Sequence, residues 1–272
     1  MTDTMISRPD GARIRMRDHR ARTRRADAPV LVLSNSLATD AALWDPVLEP
    51  LCADYHVLTY DTRGHGASVA PSASARLTDL ADDLFAVMDT AGVASAFIAG
   101  ISLGGMTGLQ CALQAPARVS GLVACNCRAS IDAAGIAGWE QRLQVLRESG
   151  LDALAAVTLE RWFTPEYRAA QPAVMARVRA MIGRTDPAGY EACVRAIQAI
   201  DLLAQLPAIR VPVLLVAGAQ DGAAAPAVMQ AMASAIEGAR LEVLDPCGHL
   251  SAVQRPDELA ALLDWFIREG TK

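Results

Sequence analysis

AFIAGISLGGMTGLQCALQ, residues 96–114, is the stretch that decides the architecture. Its first third is a continuous apolar run of strand length. The remainder reads as a helix that stops before Pro116, because a residue ahead of proline is pushed out of helical geometry. Between the two stands Gly100-Ile101-Ser102-Leu103-Gly104, with Gly105 following. Gly-x-Ser-x-Gly alone says little, since at ordinary Gly and Ser usage it arises by chance in about one chain in ten of this length. Joining a buried strand to a helix, it says much more. Such a join is a sharp turn with a strained backbone, so the positions flanking the serine must lack bulky side chains. The Ser102 hydroxyl then stands clear of the sheet, and the N–H of Leu103 lies at a helix N-terminus, where developing negative charge is favoured.

Outward from this turn, short apolar runs alternate with helix-length segments, the pattern of a parallel sheet covered by helices. The runs are VLVLSNS (30–36), HVLTYD (56–61), VSGLVACN (119–126), VPVLLVAG (211–218) and RLEVLD (240–245). They are apolar almost throughout, which suits strands buried on both faces. RIRMRD (13–18) alternates instead and reads as an antiparallel edge strand. Helices are expected over 78–91, over 103–114 and from Pro256 onward, where Leu259, Leu262, Leu263 and Phe266 form a buried stripe. From 131 to 206 the alternation stops. Helices are expected there over 139–148, 151–163, 172–182 and 187–200, with no strand between them. This divides the chain into a core (1–130 and 207–272) and an inserted helical cap (131–206).

A serine hydroxyl is a poor nucleophile at neutral pH until a base takes its proton. Of the four histidines, His19 and His56 sit in no motif, and His65 lies in the Gly-rich loop YDTRGHGAS. His249 alone is late enough for the Ser–Asp–His order of the α/β-hydrolase fold, and it follows a strand, at the sheet end where ligands are met. The acid that holds the imidazole tautomer belongs on the loop after the preceding strand, where VPVLLVAGAQD places Asp221. Asp245, four residues before His249, reads as a turn former. The N–H groups of Leu37 and Leu103 are the candidate oxyanion donors, with Asn35 and Ser36 as candidates for shaping the loop of Leu37.

Composition bounds the rest. With 272 residues, 52% hydrophobic and 20% charged, the chain is ordinary globular material rather than disordered. Aromatics are only 4%, so the core is aliphatic. A formal net charge of −5 argues against a nucleic-acid surface. Eight arginines crowd between Arg8 and Arg25, but Asp10, Asp18 and Asp27 interrupt them, which reads as a solvated basic hairpin. No apolar run approaches the roughly 18 residues of a membrane span, and MTDTMISRPDG has no apolar stretch of the signal-peptide kind. The expected location is the cytoplasm, with the six cysteines as reduced thiols. Cys125 and Cys127 flank Asn126 without further ligands nearby, so no metal is expected.

The segments NSLATDAALWDPVLEPL (35–51), YDTRGHGAS (60–68), GISLGGMTGL (100–109), APARV (115–119) and GHLSAVQRP (248–256) resemble the 3-oxoadipate enol-lactonases of the α/β-hydrolase superfamily. So do LERWFTPEY (159–167) and TDPAGYEACVRAIQAIDL (185–202) in the cap, which are the more specific part of the likeness. The chain departs from that family's pattern at Ala38, where Gly is expected, at Ala252 and Gln254, where Asn and Glu are expected, and in its plain DGAAAP loop (221–226). The resemblance implies a mostly parallel sheet flanked by helices and a small carboxylated enol lactone as substrate. It implies attack by Ser102, oxyanion binding by Leu37 and Leu103, deacylation through His249, and no cofactor. A substrate carboxylate calls for a cation. Arg128, Arg142 and Arg161 are the candidates, and Trp139 and Trp162 are candidate pocket walls. The competing expectations are a carboxylesterase, another lactonase, a carbon–carbon bond hydrolase, or a small-molecule sensor that no longer turns over. Oligomeric state is not legible in the sequence.

Overall fold

A computed structural model describes residues 2–22, 28–71 and 74–270. The chain opens with a hairpin, β1 (Thr2–Ser7) and β2 (Arg13–His19), then runs β3 (Val30–Ser34), α1 (Asp45–Asp54), β4 (His56–Tyr60), α2 (Leu77–Thr90), β5 (Ala96–Ile101), α3 (Leu103–Gln114) and β6 (Val119–Cys125). Four helices follow without a strand: α4 (Ala133–Trp162), α5 (Pro165–Ala170), α6 (Pro172–Gly183) and α7 (Pro187–Gln198). The chain closes with β7 (Val213–Gly218), α8 (Pro226–Ala235), β8 (Arg240–Leu244), α9 (Ser251–Gln254) and α10 (Pro256–Gly270).

The strands form one 8-stranded sheet in the order β1-β2-β4-β3-β5-β6-β7-β8. β1 and β2 join antiparallel, and every pairing from β4 to β8 is parallel. Most of the runs read as doubly buried are so: β4, β5 and β7 are buried at every position, and β3 and β6 at all but one. β8 is not, because it is an edge strand, and of its residues only Leu244 is buried. β2 alternates as expected, burying Ile14, Met16 and Asp18. It is not an edge strand, however. β1 pairs along its outer side, and β1 gives little sign of itself because TDTMIS is exposed or half-buried throughout. Among the described residues, no helix is long and apolar enough to cross a membrane.

The arginines of the hairpin are more engaged than a solvated face would be. Arg15 pairs with Asp3, and Arg8 Nε lies 3.1 Å from Asp83 Oδ1. Asp83 also takes a two-pronged bond from the buried Arg63, at 2.7 and 2.9 Å. Arg24 and Arg25 lie outside the described residues. Cys125 and Cys127 are fully buried core thiols.

In α4 the two expected helices run together, with Gly150 (φ +76°, ψ −177°) marking the break between them. The helical block meets the sheet through a glycine pair: a Cβ on Gly64 would come within 2.4 Å of the Gly189 Cα, and the reverse holds at the same distance. Asp186 N–H donates to Gly64 O at 3.0 Å, and Arg184 Nη2 reaches Asp40 at 2.6 Å.

Packing also explains the glycines around Ser102. A Cβ on Gly104 would lie 2.1 Å from the Ser34 carbonyl oxygen, and one on Gly100 would lie 2.2 Å from Gly104 backbone. α3 can sit this close to β3 only without those side chains. Gly104→Ala should therefore destabilise by about 2–4 kcal/mol, as overpacking against backbone does. Gly92→Ala, at φ +70° with nothing within 4 Å, should cost only about 1 kcal/mol of backbone strain. Urea unfolding of both variants measures the contrast, and equal losses would contradict it.

Candidate active site

The C-terminal ends of β3, β5, β6 and β7 and the loop after β8 all open on one side. Leu37, Ser102, Leu103, Arg128, Asp221 and His249 sit on those ends, whereas Trp139, Arg142, Arg161 and Trp162 come from α4. Ser102, between β5 and α3, has φ +55° and ψ −113°. Its N–H donates to Cys125 O at 2.9 Å, and its carbonyl accepts from Met106 N–H at 2.9 Å, so the turn is held from both sides. Leu103 is the first residue of α3, and first-turn N–H groups have no partner within their helix.

The loop after β3 is shaped by Asn35. Its amide donates to Tyr60 O and accepts from Trp44 Nε1 at 3.0 Å. Thr39 then folds back, its hydroxyl donating to Ser36 O at 2.7 Å. Ala38 takes φ +59°, a left-handed conformation that favours glycine. Ser36 Oγ is buried without a protein partner.

Asp221 is 2% exposed and sits in a cage of donors. Oδ1 accepts from the N–H groups of Ala223 (2.7 Å) and Ala224 (3.1 Å). Oδ2 accepts from His249 Nδ1 (2.9 Å) and Asn126 Nδ2 (3.1 Å). Burial alone would push this carboxyl up. The nearby imidazole charge, its hydrogen bond and the two amides outweigh burial and hold it at about 2. A carboxylate only accepts, so His249 Nδ1 carries the proton, and in the neutral ring Nε2 keeps a lone pair. Asp245 is exposed and accepts from Gln220 Nε2 at 2.7 Å. The other histidines have structural partners: His19 meets Thr59 Oγ1, His56 Nε2 meets Asp18 Oδ1 at 2.8 Å, and the fully buried His65 donates to Arg63 O.

A cavity of about 400 Å³ brings Ser102, His249 and Leu37 together with all five candidate pocket residues, Arg128, Trp139, Arg142, Arg161 and Trp162. Leu103 lies buried behind Ser102, outside the lining, and Asp221 lies behind His249. The described lining holds three arginines and no carboxylate. Arg128 Nη2 donates to Ala223 O (2.6 Å) and Arg161 Nη2 to Gly222 O (3.3 Å), so both grip the backbone just past Asp221. Burial, and then the charge of Arg142, pull Arg161 below its ordinary value. Arg142 lies 5.0 Å over the Trp139 ring. Trp162 stacks beside the imidazole, 6.2 Å between centroids at 29°.

Two residues here were given no role in the sequence reading. Asn126, at φ +49°, ties Asp221 to Gly248 O (3.1 Å), and its own Oδ1 is buried without a protein partner at the cavity. Gln254 binds the Gly248 N–H at 3.0 Å. A polar residue at the end of a buried strand was the available signal for Asn126; for Gln254 it was the departure from the Glu that the family resemblance leads one to expect.

Residues 29–256 match the model of the α/β-hydrolase fold family. The chain is 36% identical to 3-oxoadipate enol-lactonase 2 of Acinetobacter baylyi over 85% of each sequence. It is 32% identical to RutD of Stutzerimonas stutzeri, assigned as a carbamate hydrolase, over 87% of this chain and 91% of that one. Among solved structures, the enol-lactonase from Burkholderia xenovorans superposes with a TM-score of 0.92 at 36% identity, over 97% of this chain and all of that one. The chain is thus a hydrolytic enzyme of the α/β-hydrolase superfamily and belongs to its 3-oxoadipate enol-lactonase family.

Proposed function

We propose that this enzyme opens a small carboxylated enol lactone, 3-oxoadipate enol-lactone, through an acyl-enzyme on Ser102. The observation that carries the substrate class is the cavity lining: three arginines, no acid, and the Ser102 hydroxyl in one enclosure of about 400 Å³. A dianionic or monoanionic ligand of lactone size is what such a lining stabilises, and a neutral ester gains nothing from it.

In this mechanism His249 Nε2 takes the Ser102 proton as Oγ attacks the lactone carbonyl. Asp221, bound to Nδ1, stays ionised and stabilises the imidazolium. The N–H groups of Leu37 and Leu103 receive the oxyanion. Collapse of the tetrahedral intermediate breaks the ring C–O bond. His249 returns the proton to the departing enol oxygen, and the enol ketonises while its acyl end remains on Ser102. A water activated by His249 then releases the 3-oxo acid. Residues 131–206 act as a cap over the sheet, and the protein works as a cytoplasmic enzyme without a cofactor. Likeness to RutD favours one second reading, a carbamate as substrate, so carbamates belong in the assay panel.

Three outcomes are expected. Ser102→Ala should lose turnover of both the enol lactone and p-nitrophenyl acetate by about 10⁴-fold or more; parental activity in that variant would end the mechanism. In a panel of the enol lactone, neutral lactones, simple esters and carbamates, kcat/KM should favour the enol lactone, and no preference would end the substrate assignment alone. Arg142→Met should raise KM for the carboxylated lactone about tenfold to a hundredfold, the worth of a charged hydrogen bond, and spare the acetate.

Asp221 also makes a stability prediction. Its folded pKa of about 2 lies below the ordinary 3.8, so its carboxylate stabilises the fold above about pH 4, and that contribution fades as pH falls toward 2. Asp221→Asn should therefore lose less stability than the parent across that window in urea unfolding. Parallel pH profiles for the two proteins would refute it.

A further inference from the structure

The imidazole of His249 hangs on a turn whose backbone N–H groups are all taken by other elements. Three successive N–H groups, those of Cys247, Gly248 and His249, each donate to a different element. Cys247 N–H goes to Gln220 Oε1 (2.7 Å), Gly248 N–H to Gln254 Oε1 (3.0 Å), and His249 N–H to Trp162 O (2.7 Å). The Gly248 carbonyl accepts from Asn126 Nδ2 (3.1 Å). The fit is tight on both flanks: a Cβ on Gly248 would lie 2.4 Å from Trp162 O, and one on Gly218 would lie 2.0 Å from Gly248 O.

The two ends of the Gln254 amide join this turn to the helical block. An N–H can only donate, so Oε1 faces Gly248 and Nε2 is left to donate to Thr164 Oγ1 at 3.2 Å. Thr164 stands between α4 and α5 and caps α5 by accepting from Tyr167 N–H. The Tyr167 hydroxyl in turn donates to Val253 O at 2.8 Å. Gln254 and Thr164 are both buried, so neither bond is replaced by water when lost.

We propose that Gln254 is a positioning residue for His249: it fixes the Gly248 peptide from one end and, through Thr164, fastens the turn of the base to the helical block that walls the cavity. The base is thereby placed by residues from both parts of the chain, not by the sheet alone. This rests on the Ser102–His249 mechanism above, and the test separates the two.

Gln254→Leu keeps the volume and removes both bonds. It should lower kcat for p-nitrophenyl acetate and the enol lactone alike by about tenfold to a hundredfold, with KM within about twofold, as small misplacements of a catalytic group do. Gln254→Glu keeps the acceptor for Gly248 and lets the Thr164 hydroxyl donate instead. It should recover most of that loss, to within about threefold of the parent. Its added negative charge should raise the acid limb of the kcat/KM profile by about half a unit or more. The charged groups that bond the imidazole or share its cavity are Asp221, Arg128, Arg142 and Arg161, which both variants leave unchanged. A parental kcat in folded Gln254→Leu would overturn the proposal, as would a KM-only effect or an acid limb unmoved in Gln254→Glu. If Gln254→Leu does not fold, Gln254→Glu decides alone. The far-downfield proton resonance of the His249–Asp221 hydrogen bond needs no substrate: it should shift or broaden in Gln254→Leu. That resonance settles positioning even if Ser102→Ala retains activity and the mechanism falls.

Discussion

Ser102 is held in a backbone conformation that an ordinary residue avoids, at an energetic cost of about 1–3 kcal/mol. It persists because the surroundings leave no alternative. β5 delivers the chain into the turn, α3 must start within contact of the Ser34 carbonyl, and the Ser102 N–H is taken by β6. Relaxing the turn would withdraw α3 from β3 and unpair that N–H. The strain and the close packing are therefore one constraint seen from two sides, and the glycines at 100 and 104 are its signature in the sequence.

The second constraint is electrostatic. Asp221 is buried and charged at once, which is tolerable only with hydrogen bonds to both oxygens, and here it has four. Two come from its own loop and two arrive from distant elements. Arg128 and Arg161 then hold the carbonyls just beyond it, so the cations that give the cavity its sign also shape the acid's loop. A substitution at either arginine acts on charge and on geometry together. Arg142, resting on Trp139, is the arginine through which charge can be changed with the acid loop left alone.

What the sequence makes legible here follows the range of the interactions involved. Continuous apolar runs mark β3 to β7 because a strand buried on both faces has no room for a polar alternation. β8, an edge strand buried only at Leu244, reads as buried too because Leu241 and Val243 are apolar, although the first is half-buried and the second exposed. The turn at Ser102 is legible because steric need writes glycine into fixed places. β1 is not, since a half-exposed edge strand exerts little pressure on TDTMIS, and its absence from the reading made β2 look like the edge. α8, PAVMQAMASA, is a short run of small apolar residues that periodicity alone does not separate from a loop between strands. The roles of Asn126 and Gln254 are illegible for a different reason. Each ties its neighbourhood to a partner 95 or 90 residues away, Asp221 and Thr164, and no local pattern reports a contact made across that much chain.

The backbone contact between Gly64 and Gly189 has an evolutionary corollary. Because neither position can take even a methyl group without forcing the two segments apart, the footprint of the helical block on the sheet is pinned at that point. Trp139, Arg142 and Val157, on faces of α4 that line the cavity, are half-buried or exposed and carry no such restriction. Mutation is free to retune size and charge among Trp139, Arg142 and Val157 while the block keeps its seat, so ligand preference in this chain can drift without dismantling the chemistry beneath it.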